Sequence, residues 1–174
     1  MAEISQVIDF VAVVELGFEA GEPFVQRCGK RFQIGSQRID QRGFRVALVS
    51  GDAFRELLKT RCWVEERALR ESIEHGDVEW EENIVLANHR LDRTPRSTDN
   101  HSYVANSEWE PKHKQLHMAL LSACDSSILL KFCGQLYDQN IRYRNISGTV
   151  AYSQRNTNDE HNQIVKLVLE RNAD

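Results

Sequence analysis

The chain has 174 residues, 41% of them hydrophobic, and its 22 basic and 26 acidic residues give a formal net charge of -4. That length suits one buried core with an appendage better than two full domains, and a net-negative chain lacks the positive excess that drives non-specific phosphate binding, so any nucleic-acid contact is local. No apolar run reaches bilayer length and the N-terminus has no basic n-region of a secretory signal, so a soluble cytoplasmic protein is expected, with no membrane partner.

The composition changes near Ser50. Residues 1 to about 50 carry β-branched runs and five glycines from Gly17 to Gly43, whereas residues 53–172 hold long stretches of helical periodicity, so the chain is expected to divide into regions 1–50 and 51–174. The first helix is expected from about Ala53 to His75, with Phe54, Leu57, Leu58, Cys62, Leu69 and Ile73 on one face and Gly76 as its stop. Asp77 then caps a second helix that turns Trp80, Ile84, Ala87 and Leu91 inward, and Thr94-Pro95 opens a polar, mobile-looking loop through Tyr103. Ser107 through Glu110 fits a capping box with Pro111 in the first turn of a third helix, whose inward face carries Trp109, His113, Leu116, His117, Leu120, Leu121 and Cys124. A fourth helix over about Ile128 to Asn145 is expected to bury Leu129, Phe132, Cys133, Leu136 and Tyr137, ending before Ser147-Gly148. Thr157 through Glu160 offers a second capping box for a fifth helix with His161, Ile164, Val165 and Val168 inward. The expected fold is mainly α, an antiparallel helical bundle. Cys28, Cys62, Cys124 and Cys133 have no CxxC spacing and read as reduced thiols, the last three as core residues.

His113 and His117 are four residues apart, which on a helix puts their Cβ atoms on one face about 6 Å apart. With His161 from a facing helix they form a candidate site for a divalent ion such as zinc, nickel or manganese. The same pattern also suits three core histidines satisfied by hydrogen bonds. A carboxylate ligand approaching such a metal calls for an inward arginine, for which Arg61 is the candidate; the alternative is an exposed Arg61–Glu65 pair worth a few tenths of a kcal/mol. No GxSxG, HExxH or phosphate-binding loop is present, so no catalytic residue is assigned.

Gln41-Arg42-Gly43-Phe44-Arg45-Val46, Arg61 with Glu65, Ala87 through Leu91, His113-Lys114-Gln115-Leu116-His117 and Glu160-His161 together resemble the FCD domain. This is the effector-binding helical bundle of FadR-type regulators in the GntR family, and the resemblance covers about residues 41–174. It implies a transcription regulator that senses a small carboxylate effector and acts as a homodimer on operator DNA, its winged helix-turn-helix head placed before the bundle. The first six of those residues resemble the strand that closes the winged helix, so Arg42 and Arg45, with Arg38, are candidates for phosphate contact; a solvated strand face is the alternative. In the family the metal ligands are commonly an Asp-x-x-x-His pair, a histidine in a Glu-His dipeptide and a last histidine further on. His117 and His161 match, His113 stands where the aspartate is usual, and the last histidine would lie beyond Asp174.

Residues 1–50 hold no convincing pair of helices around a turn, so the region is expected to be an incomplete or damaged DNA-binding head. Arg27 through Phe32 can be encoded so that reading from the third base yields Val-Arg-Glu-Ala-Leu, a run such regulators carry at the recognition helix. A shifted reading frame within residues 1–36 is one explanation, and coincidence permitted by codon degeneracy is the other. Two functional readings therefore stand beside the regulator: a stand-alone metal-dependent helical enzyme, and a non-functional regulator fragment.

Overall fold

The computed structural model describes residues 33–39, 43–48, 50–99, 101–151 and 156–171. Arg42 and the segment Arg27–Phe32 lie outside the described residues. Strands β1 (Gln33–Ile39) and β2 (Gly43–Leu48) pair antiparallel, with Ser36 opposite Val46 and Arg38 opposite Phe44, and the register shifts between Gln33 and Ser36.

Ser50 caps α1 (Gly51–His75) by accepting the Ala53 N–H at 3.1 Å. Its buried stripe is Phe54, Leu57, Arg61, Ala68, Leu69, Ser72 and Ile73, spacings of three and four that place one face toward the core. Gly76 ends the helix with its N–H on the Ser72 carbonyl, and Asp77 starts α2 (Val78–Asp92) by accepting the Trp80 N–H at 2.9 Å. The buried residues of α2 are Trp80, Ile84, Ala87 and Leu91, the four that the periodicity points inward.

The loop after α2 is bound by its own polar groups, where its composition reads as mobile. Ser97 Oγ accepts the Asp99 and Val104 N–H groups, and the Asp99 carboxylate accepts those of His101 and Ser102 at 2.7 and 2.8 Å. These backbone donors hold the Asp99 carboxyl below the ordinary aspartate range.

Helix α3 (Trp109–Leu121) departs from the expected Ser107 box. Asn106 accepts the Glu108 N–H through Oδ1 and the Trp109 N–H through its carbonyl, so an amide one residue earlier takes the place of the Ser107 hydroxyl. Helix α5 (Thr157–Leu169) is likewise capped by Asn156 rather than Thr157. Helix α4 (Ser127–Ala151) runs straight through Ser147-Gly148, because one interior glycine costs only about 1 kcal/mol against alanine once a helix is propagating. Its inward face is Cys133, Leu136, Tyr137, Asn140, Tyr143 and Arg144; Phe132, expected inward, is 43% exposed because it stands about 100° around the helix from Cys133.

Helix α2 packs on α3 and α5, while α1 packs on α4 and α3. The larger apolar cluster joins Leu69, Ile73, Trp80, Ile84, Leu91, Leu116, Leu120, Cys133, Ile164 and Val168; a smaller one holds Phe54, Leu57, Leu136 and Tyr143. Arg171, just past α5, donates to the Ile73 and Gly76 carbonyls and pairs with Glu81, fastening α5 to the α1–α2 corner. No described helix is long and apolar enough to cross a membrane.

Candidate metal centre

The helical stripes of α3 and α5 bring the three histidines together. His113 is 1%, His117 5% and His161 4% exposed, a burial that neutral imidazoles tolerate only with polar partners. His113 Nε2 lies 2.9 Å from His161 Nε2 and 3.1 Å from His117 Nε2, and donor atoms of all three lie within 4.8 Å of one another. A tetrahedral ion about 2.05 Å from each nitrogen requires nitrogen separations of about 3.3 Å, so to hold one the two short separations would open by a few tenths of an ångström while the widest, up to 4.8 Å, would close toward the same value. Without an ion the rings satisfy one another through N–H···N bonds; with one, their lone pairs converge on it. The three imidazoles form a group that could hold a divalent ion able to accept nitrogen ligands.

The surroundings favour a neutral His113. Burial, above all, depresses the His113 pKa well below the ordinary histidine value, helped by the charges of His117, Arg144, His161 and Arg96. Trp109 stacks on the His113 ring with centroids 4.3 Å apart. On the other side Tyr137 Oη lies 2.6 Å from His113 Nδ1 and donates to Glu110 Oε1 at 2.7 Å. Arg144, 2% exposed, reaches the same Glu110 oxygen at 3.1 Å.

Arg61 is buried, at 3% exposure, so the exposed-pair alternative for it does not hold. Its Nε and one terminal nitrogen meet Glu65 Oε1 and Oε2 at 2.7 and 3.1 Å, a two-point pair. The guanidinium stands 5.5 Å from the Tyr137 ring centroid, with Arg144 at 4.6 Å from the same ring. Tyr137 thus links the arginines to the histidines.

A sequence model of the FCD domain matches residues 56–174. The chain belongs to the FCD domain family. Over 134 residues it is 37% identical to an uncharacterised HTH-type transcriptional regulator, BphR, of Paraburkholderia xenovorans (strain LB400), covering 77% of this chain and 55% of that one. Over 139 residues it is 27% identical to the HTH-type transcriptional repressor GlaR of Escherichia coli (strain K12), covering 78% and 62%. The matched part spans less than two thirds of the length of either relative. No solved structure matches the chain.

Within this FCD domain, four of the seven residues singled out from the sequence converge: His113, His117 and His161 directly, and Arg61 through Tyr137. Arg45 lies on β2 opposite Gln37, in the separate hairpin. Sequence reasoning assigned no role at the site to Glu110, Tyr137 and Arg144. Glu110 reads in sequence as a capping partner, whereas its carboxylate takes the Tyr137 hydroxyl and the Arg144 guanidinium. The available signal was on α4: a tyrosine, an asparagine and an arginine spaced three and four apart on an otherwise apolar stripe.

Proposed function

We propose that this FCD domain is the sensing part of a GntR-type, DNA-binding transcription regulator that acts in the cytoplasm as a homodimer. A divalent ion held by His113, His117 and His161 takes a small carboxylate metabolite as a further ligand, and Arg61 faces that anion from α1. The observation that carries this reading is the convergence of three buried imidazole nitrogens within 4.8 Å. Three neutral donors leave the ion's full positive charge uncompensated by them, which favours an anionic oxygen beside it. The likeness to two HTH-type regulators supports regulation over catalysis. We divide the chain into a DNA-binding region, 1–50, whose β1–β2 hairpin is a wing remnant, and a sensing region, 51–174. Arg42 and Arg45 are the proposed phosphate contacts on operator DNA.

The test is thermal unfolding against a panel of small mono-, di- and hydroxycarboxylates, with and without zinc. A ligand at 100 times its Kd stabilises the folded chain by about 2.7 kcal/mol. Stabilisation by a carboxylate only when zinc is present, lost in His117→Ala, is expected; turnover of the carboxylate, or no carboxylate effect with zinc bound, contradicts the sensing role.

A further inference from the structure

We infer that Glu110 and Tyr137 form a positioning relay that fixes His113 as its Nδ1–H tautomer, turning the Nε2 lone pair toward His117 and His161. An ionised carboxylate only accepts hydrogen bonds. Tyr137 Oη, 2.7 Å from Glu110 Oε1, therefore spends its single proton on that oxygen. What remains toward His113 is a phenolic lone pair, 2.6 Å from Nδ1, and it demands a donor. Nδ1 carries the proton, so in the neutral ring Nε2 carries none.

Burial enforces this order. Tyr137 and His113 are each 1% exposed, so water does not replace a mismatched partner. The Arg144 guanidinium meets the same Glu110 oxygen at 3.1 Å and holds the carboxylate in place beside Tyr137. Trp109, stacked on the imidazole, limits rotation of the ring out of this arrangement. The relay crosses from α3 to α4 and back, so it also ties the metal-facing side of α3 to the helix that carries both Tyr137 and Arg144.

The consequence is that His113 meets a metal without first moving its proton, whereas the opposite tautomer would aim an N–H at the ion. That consequence rests on the metal reading of the three histidines; the tautomer itself does not.

The test is a long-range proton–nitrogen correlation spectrum of the histidine rings in the metal-free full chain, with zinc affinity measured alongside. Wild type is expected to show His113 as Nδ1–H. Glu110→Ala frees the Tyr137 proton to turn toward Nδ1, so His113 is expected to shift to Nε2–H and zinc affinity to fall about tenfold or more. Glu110→Gln keeps a carbonyl acceptor and is expected to retain the wild-type tautomer. His113 found as Nε2–H in wild type, or unchanged in Glu110→Ala with unaltered zinc affinity, overturns the relay. Nδ1–H in wild type without any zinc binding establishes the relay and overturns the metal reading instead.

Discussion

His113 on α3 and His161 on α5, 48 residues apart in sequence, face each other with Nε2 atoms 2.9 Å apart in the closed interior of the bundle. Two neutral imidazoles reach that distance only when one donates to the other or when both give way to an ion between them. Either way the pair ties α5 to α3 by a polar contact within an apolar layer made by Leu116, Leu120, Ile164 and Val168.

Protonation of His113 breaks this arrangement, and its direction with pH follows from the depressed pKa. The unfolded chain takes up the proton near the ordinary histidine value of 6.5 while the folded chain resists it. The stabilising effect of the neutral ring is therefore complete above pH 6.5 and is lost as pH falls below it, by up to tenfold in the folding equilibrium per pH unit for this one group. Urea unfolding of the metal-free protein between pH 8 and pH 5 is expected to show a falling midpoint that flattens in His113→Phe.

Arg61 and Glu65 are 4% and 12% exposed at their side chains, so removing one partner strands a charge. Arg61→Ala is expected to destabilise the chain by about 3–5 kcal/mol, whereas the double replacement Arg61→Met, Glu65→Leu recovers most of that loss. The double variant is also expected to lose the carboxylate effect while keeping the zinc effect, which separates a role in anion binding from a role in folding. Denaturant titration with and without ligand checks both.

The described cysteines differ in surroundings. Burial above all pushes the Cys133 thiol up to about 12, with the nearby Glu65 charge adding to it, whereas Cys62 is only partly buried. A thiol raised in this way contributes stability in full below its unfolded value of about 9, and that contribution is lost as pH rises above it toward 12. Under native conditions at pH 8, a thiol reagent is expected to modify Cys62 well before Cys133, and mass mapping of early products reads the order.

How much of this was legible in the sequence depended on whether a feature is local. The inward faces of α2 and α5 follow from 3.6-residue periodicity and needed nothing else, whereas on α1 the expected Leu58 and Cys62 are only partly buried and the small Ala68 and Ser72 are buried instead. The two asparagines at the starts of α3 and α5, Asn106 ahead of Glu108 and the cap Asn156, lie next to Ser107 and Thr157, and choosing between adjacent polar residues depends on how the preceding chain enters the helix. Phe132 was misplaced because a strongly apolar side chain outweighed its angular position. The histidine pair was visible since its spacing is local, and His161 because it falls on a clean stripe. Glu110, Tyr137 and Arg144 were not visible as a site, since their meeting depends on how α3 and α4 cross, which no spacing within either helix encodes.

Gly76 shows how tightly the α1–α2 corner is closed. A Cβ there would press into the indole of Trp80 and stand 2.6 Å from the Ser72 carbonyl oxygen. Gly76→Ala is expected to cost about 1–3 kcal/mol by overpacking, read as a lower urea midpoint with an unchanged slope.

The central claim, that three histidines hold a divalent ion, is tested most directly by thermal unfolding of the full chain in chelator and then with zinc, nickel or manganese, beside His117→Ala. A rise in midpoint with at least one ion in wild type, absent in His117→Ala, is the expected result. The same midpoint with every ion and with chelator would contradict the claim and leave His113, His117 and His161 as core residues that satisfy one another.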